Sequence, residues 1–471
     1  MRSPTSRTLV LLGLAALTTS VVSCGSRGAA PPAPASGVRP APPAGGAAEE
    51  RASSLPGAPA VTRPETPGEA EVKPTPAAER SLQKVMDLKV AGAALWHLGE
   101  EGILLEGGRD FFALIQGDSI QSLPVQGRGL PPDDGSDGEG GIRTITGRWP
   151  DGVWLVWRDY DTWTHAMNMW YERLFRLRKD HWERIHETKH DQYGNNDLYR
   201  GLWQQPEGCL VGLLSEDDNE RDAWRARSEA LDCRGLPAPQ LSFQKTEQTE
   251  YGIAAVLGSS SGHVLVLEYD TEMKGNAPTP ARLVLSRPGP PNRTEISLPL
   301  PPEIERDRLS FRLQYCKMVG QAPSNAYVVV NYDFQDKPGQ PSRQGSPKTR
   351  SVPMLLRFDG SSFSSLPLPP IDFVGELDLG EDGTLVMIAS PPSDDPKARV
   401  IWALPPGGPW VRIPMPIDLE VGEPYWPSSI AAHSLGDIWV VGDHGPAGRE
   451  NRPHALFHTR SPASRAGQTT P

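Results

Sequence analysis

Six side chains could do chemistry in this sequence: Asp159, Asp161, Asp270, Asp333, Asp443 and His444. Each lies in a polar stretch that follows a short apolar run: "RDYDTWTH" (158–165), "YDTEMKGN" (269–276), "NYDFQDKPGQ" (331–340) and "GDHGPAGREN" (442–451). "SEDDNERD" (215–222) and "SDDPKAR" (393–399) are two more stretches of the same kind. Carboxylates gathered beside an imidazole can bind polar ligands, coordinate a hard cation such as calcium, or carry general acid–base catalysis. No stretch has the ligand spacing of an EF-hand, so calcium has no motif behind it. The competing role for such charges is the solvation of long loops.

Other chemistry is sparse. The sequence has no phosphate-binding P-loop, and its literal matches to G-x-S-x-G ("GSSSG", 258–262) and H-E-x-x-H ("HETKH", 186–190) fall in strand-and-turn patterns without the helix those motifs need. His181, His186 and His190 crowd "HWERIHETKH", but the surrounding pattern is strand and turn, where His181 and His186 are expected on opposite faces. Four cysteines are present, with no C-x-x-C pair and no zinc-finger spacing. Cys209 and Cys233 fall within one repeat and are expected to form a disulfide on neighbouring strands, leaving Cys316 as a buried free thiol. No metal site and no cofactor is expected.

The polar stretches follow a repeated pattern. "FFALIQGDSIQSLPV" (111–125), "LFRLRKDHWERIHE" (174–187), "LLRFDGSSFSSLPLPP" (355–370) and "IWALPPGGPWVRIPMP" (401–416) share one grammar. An alternating apolar strand meets a turn, and a second strand opens on Ile120, Trp182, Phe363 or Trp410. Three residues on stands Leu123, Ile185, Leu366 or Ile413. Period-two alternation around a turn predicts a hairpin. "ARLVLSRPGPPNRTEISLPLP" (281–301) is a looser copy.

Upstream of each hairpin a further strand opens at a turn residue, at 101, 151, 208, 262, 325, 383 and 436, in steps of 50 to 63 residues. Before it there is usually one strand more, such as "GIRTITGRW", "YGIAAVLG", "DFVGELDLG" and "SSIAAHSLG". Four antiparallel strands at this period predict an all-β fold, a β-propeller of seven four-stranded blades, with six or eight as alternatives. Residues 191–240 are the least regular unit. The last unit ends at "HALFHTR", one strand short, and "LQKVMDLKV" (82–90) stands unclaimed before the first unit. This N-terminal segment is therefore expected to pair near Ala455–Thr459 and close the ring, removing an exposed strand edge. Trp154 and Trp439, inside short apolar strands, are expected in the core.

The stretch "GDIWVVGD" (436–443), with "DGVWLVW" (151–157), resembles the Asp-x-Trp-x-Val-Gly repeat of propeller-type bacterial lipoproteins. The resemblance covers residues 82–460 by periodicity, and its motif is crisp in the last blade. It implies a propeller and export, and no reaction.

The N-terminus agrees with export. Arg2 and Arg7 precede a short apolar run, Leu9–Ala16, and Val21-Val22-Ser23-Cys24 resembles a bacterial lipobox. Residues 1–23 read as a lipoprotein signal peptide, and Cys24 as the acylated residue; cleavage near Ser23 without lipid is the competing reading. Gly25 and Ser26, in place of Asp, imply outer-membrane delivery in a double-membraned host. Residues 24–80, rich in Pro and Ala, are expected to form a disordered tether, residues 81–460 the propeller and residues 461–471 a polar tail.

The formal charge is −11, and loss of Arg2 and Arg7 with the signal makes it more negative. That argues against nucleic acid and against adhesion to anionic lipid. The expected protein is a monomer, membrane-attached through its lipid alone, in the bacterial cell envelope and facing the periplasm or the cell surface. Its expected role is a binding module for a protein, peptide or glycan. The alternative is a propeller hydrolase or lyase using the acidic residues and His444 at the channel mouth.

Overall fold

Turn residues before the apolar runs set the repeat. Gly102, Gly262 and Gly383 adopt φ of 130°, 80° and 83°, a region that residues with a Cβ enter at a cost. At Gly102 a Cβ would also lie 2.4 Å from the carbonyl oxygen of Ile115. Each of these glycines turns the chain from one strand into the next, which is buried along its whole length where the sequence is continuously apolar.

The computed structural model describes residues 81–88, 93–98, 102–107, 111–123, 141–147, 149, 152–161, 169–178, 181–190, 196–204, 209–218, 223–232, 242–244, 251–259, 262–270, 281–287, 293–302, 311–335, 349–392, 399–417, 425–443 and 454–459. The expected signal peptide, Cys24, the tether and the tail lie outside these residues, as do Cys233 and His444.

Strand β1 (Leu82–Leu88) precedes the first blade, which is β2 (Ala93–His97), β3 (Ile103–Gly107), β4 (Phe111–Gln116) and β5 (Ser119–Leu123). The second holds β6 (Gly141–Thr146), β7 (Val153–Asp161), β8 (Met169–Arg178) and β9 (His181–His190). The third holds β10 (Asn196–Gln204), β11 (Leu210–Asp218), β12 (Ala223–Asp232) and β13 (Ser242–Gln244). The fourth holds β14 (Tyr251–Gly258), β15 (Val264–Asp270), β16 (Arg282–Ser286) and β17 (Arg293–Ser297). In the fifth are β18 (Phe311–Gln321), β19 (Asn325–Gln335), β20 (Thr349–Phe358) and β21 (Phe363–Leu366). The sixth has β22 (Phe373–Leu379), β23 (Leu385–Ser390), β24 (Val400–Leu404) and β25 (Val411–Ile413). The last has β26 (Trp426–Ser434), β27 (Asp437–Asp443) and β28 (His454–Thr459).

Among the described residues these strands form seven four-stranded antiparallel sheets, and the seventh takes β1 as its outer strand, in the order β1-β28-β27-β26. Leu82 pairs with Thr459 and Leu88 with His454, so the N-terminal strand closes the last blade as expected. Among the described residues the core is divided into seven apolar clusters, each between two neighbouring blades. Leu104, Leu155 and Trp157 pack the first blade on the second, and Ile103, Leu105, Trp439 and Val441 pack the seventh on the first. The other five clusters join the remaining neighbours in sequence. Sheets and interfaces therefore close in a ring. The chain is a β-propeller.

Packing both faces explains why β3 and β23 are almost continuously apolar and buried, and why Trp154 and Trp439 are 3% and 1% exposed. Ile185 departs from the expected pattern. It is 41% exposed, because the β8–β9 register shifts between Leu174 and Phe175, which pair with His186 and Arg184. The extra residue reverses the alternation. His181 and His186 consequently share a face of β9 by register, contrary to the expectation that they point apart.

Candidate functional site

The predicted acidic residues lie at strand ends. Asp159 and Asp161 are among the last three residues of β7, Asp270 closes β15, Asp333 lies near the end of β19, and Asp443 closes β27. All four strands are the second of their blade, so these ends face away from the turns that begin them. Strand pairing extends further than the sequence suggested, which places these residues in strands and not in the loops beyond. Asp333 stands opposite Arg312 and Ser351, and Asp443 opposite Trp426 and His454. The side chains of Asp159, Asp161 and Asp270 lie outside the described residues.

Buried polar side chains near those ends join blade to blade. Glu106 in β3 accepts the indole N–H of Trp96 at 2.8 Å and the backbone N–H of Ile142 in the next blade at 3.0 Å. Glu172 in β8 accepts the N–H of Tyr199 at 2.8 Å and the Arg158 guanidinium at 2.6 Å. Asn331 in β19 accepts the N–H of Val374 at 3.1 Å and donates to its carbonyl at 2.9 Å. Ile142, Tyr199 and Val374 each sit at a β-bulge of an innermost strand. A bulge leaves ladder groups unpaired, and the neighbouring blade supplies the partner. Glu268 in β15 pairs with Arg282 at 2.5 Å.

Burial raises the Glu106, Glu172 and Glu268 carboxyls above their ordinary range. The opposing N–H bonds and arginine charges reduce that rise without cancelling it. A raised carboxyl in a propeller can suggest an acid catalyst, but these three are occupied in holding strands together. Sequence reasoning missed them, although an acid or amide near the end of an otherwise apolar second strand ("ILLEG", "VLVLE", "YVVVN") is a legible mark for Glu106, Glu268 and Asn331, and Glu172, inside β8, carries none.

At the opposite ends of the innermost strands, three blades bring together His97, Glu381 and His433. His97 closes β2, Glu381 lies in the turn after β22, and His433 is near the end of β26. Their donor atoms all lie within 4.8 Å of one another. Glu381 Oε1 is 3.4 Å from His433 Nδ1 and 3.9 Å from His97 Nε2. The two rings meet edge to face, with centroids 5.2 Å apart and planes inclined at 71°. His97 Nε2 is sealed from solvent and has no hydrogen-bond partner among the described residues.

The turn carrying Glu381 is held tightly. Gly380 N–H donates to Thr384 O at 2.8 Å and Gly383 N–H to Gly380 O at 3.0 Å, while the Asp382 carboxylate accepts from Thr384 N–H at 2.8 Å. Asp378 Oδ2 accepts the N–H of Ala432 at 2.9 Å. A Cβ at Gly380 would lie 2.7 Å from the carbonyl oxygen of His433, so glycine is needed for this approach. On the other side, Leu95 N–H donates to Ser429 Oγ at 2.9 Å.

The motif of the last blade has a structural use. Asp437 Oδ1 accepts the Trp439 indole N–H at 2.8 Å and lies 2.8 Å from His458 Nε2. The His458 ring stacks on Trp439 with centroids 4.0 Å apart. Burial opposes ionisation of Asp437, but the bond and charge of His458, with the charge of His433 and the bond from Trp439, hold it below the usual carboxylate range. Cys209 is disulfide-bonded. Cys316 is a free thiol that burial pushes up to about 12, which makes it a poor nucleophile.

No protein-family model and no curated protein matches the chain. Among solved structures it is similar to prolyl oligopeptidase B from Galerina marginata bound to a 35mer hydrolysis and macrocyclization substrate. That match has a TM-score of 0.41 and 9% identity, covering 83% of this chain and 50% of the other. A GH74 xyloglucanase from Xanthomonas campestris matches with a TM-score of 0.44 and 13% identity, over 81% and 56% of the two chains. A PL25 ulvan lyase matches with 0.39 and 10%, over 82% and 97%. The chain spans about half the length of the first two proteins. Likenesses this distant carry no activity to this chain.

Proposed function

We propose that the chain is a lipid-anchored, extracytoplasmic β-propeller that serves as a binding module for a protein, peptide or glycan. The observation supporting this reading is how its buried carboxylates are used. Glu106 and Glu172 are held by backbone N–H groups of the next blade, an arrangement that stiffens a scaffold. Ligand recognition is left to the rim where the second strands end, with Asp159, Asp161, Asp270, Asp333, Asp443 and His444 as its polar groups. Strand ends that pass into loops on a rigid frame are where binding residues concentrate. Cys24 is the lipidated residue, and the Cys209 partner is Cys233.

Glycan and peptide arrays probed with the purified chain test the binding role, followed by calorimetry on any hit with Asp333→Asn/Asp443→Asn. Binding that weakens in this variant supports the rim. Turnover of a bound glycan or peptide would replace the reading with a hydrolase or lyase. Anchoring is tested separately by membrane fractionation of Cys24→Ala in a bacterial host, which should release the protein or block its maturation.

A further inference from the structure

We propose that His97, Glu381 and His433 form a binding site for a divalent transition-metal ion, with zinc best suited to their donors. The site lies at the end of the ring opposite the ligand-binding rim, and it does not depend on that reading. Two imidazoles and one carboxylate are a common donor set for zinc, leaving a fourth position for water or a further ligand. Hard cations prefer all-oxygen shells, so calcium and magnesium fit this set poorly.

The geometry supports the assignment. Two ligands of a tetrahedral ion with bonds of about 2.1 Å stand about 3.4 Å apart. His433 Nδ1 and Glu381 Oε1 are 3.4 Å apart, and His97 Nε2 must approach Glu381 by a fraction of an ångström from 3.9 Å. His97 Nε2 provides the independent observation: it is buried without a hydrogen-bond partner among the described residues. A buried polar atom left unpaired is costly, and coordination would satisfy it. Both imidazole side chains are largely covered, at 17% and 15% exposed, while Glu381 at 37% leaves the site open to solvent.

The three ligands belong to the first, sixth and seventh blades. A bound ion would therefore link the blades on either side of the seventh, the blade completed by the N-terminal strand. Such an ion binds the closed ring and not the open chain, so it should stabilise the fold by mass action.

The test uses the untagged full chain, stripped with a chelator. Zn2+ is titrated by calorimetry, Co2+ is followed by its visible ligand-field bands, and Mg2+ is the control. The expected result is one Zn2+ per chain, a Co2+ spectrum of a nitrogen–oxygen site, and a melting temperature that rises with Zn2+ and not with Mg2+. His97→Gln and His433→Gln should each weaken binding at least about tenfold, since loss of even an outer-sphere partner typically costs that much. Glu381→Gln lies on a turn that backbone bonds hold without its side chain, so it reports on the site even if a histidine variant folds poorly. Absence of Zn2+ binding to the wild-type chain at millimolar concentration would overturn the proposal. So would unchanged Zn2+ affinity and stoichiometry in Glu381→Gln and in the double histidine variant.

Discussion

Asn331 satisfies both backbone polar groups of Val374 across a blade boundary, accepting from its N–H at 3.1 Å and donating to its carbonyl at 2.9 Å. Asn331 is 0% exposed, so water cannot replace either bond. Asn331→Ala should strand both groups at roughly 1–3 kcal/mol each, read as a fall in the denaturation midpoint. Asn331→Asp can reproduce both bonds only when protonated, so its folded-state pKa should rise. The folded state then binds more protons, and the variant's deficit should be small below about pH 4 and grow as pH increases. A deficit independent of pH would contradict this geometry.

Trp439 joins two functions, apolar core and hydrogen-bond donor to Asp437. Trp439→Ala should cost about 3–5 kcal/mol. Trp439→Phe should lose less, because packing survives while the indole bond is lost. Equal midpoints for wild type and Trp439→Ala would show that the stack on His458 carries no load.

Ring closure can be tested by truncation. Removing residues 25–80 should leave the melting temperature nearly unchanged. Extending the deletion through residue 90 removes β1, exposes the edge of β28 and strips Leu82 and Leu88 from the clusters on either side of the last blade. The longer deletion should melt lower and associate. Identical melting and a monomeric state for both truncations would contradict closure by β1.

Asp359 predicts a pH effect in the β20–β21 turn. Bonds from the Ser362 and Ser361 backbone N–H groups, then from their hydroxyls, hold its carboxyl well below the ordinary range. A depressed carboxyl stabilises the fold above its unfolded pKa of 3.8, and this contribution is lost as pH falls through the folded value. The stability difference between wild type and Asp359→Ala should therefore be present at pH 6 and shrink steadily below about pH 4. Chemical denaturation at several pH values reads it directly.

Cys209 is disulfide-bonded, and Cys233 is its proposed partner. Cys233→Ser should free the Cys209 thiol and lower stability by about 2–5 kcal/mol. Thiol titration of the denatured chain before and after reduction checks the pairing.

Blade period is a local property, and the sequence carries it openly. Seven turn residues before apolar runs specify seven second strands, because a strand buried on both faces must be apolar throughout. The missing last strand and the spare N-terminal one are equally visible, since an open edge has to be covered. Bulges are less visible: nothing in "HWERIHETKH" marks Ile185 as the extra residue, and one such residue moves every later side chain to the other face. His97 closes one innermost strand and His433 stands one residue before the end of another ("WHLG", "HSLG"), so each lies close to a turn. Glu381 and His433 stand in consecutive blades, but His97 meets them only because the ring closes and brings the last blade against the first. Local sequence sets where a side chain stands within a blade; closure of the ring decides which blades become neighbours and therefore which donors meet.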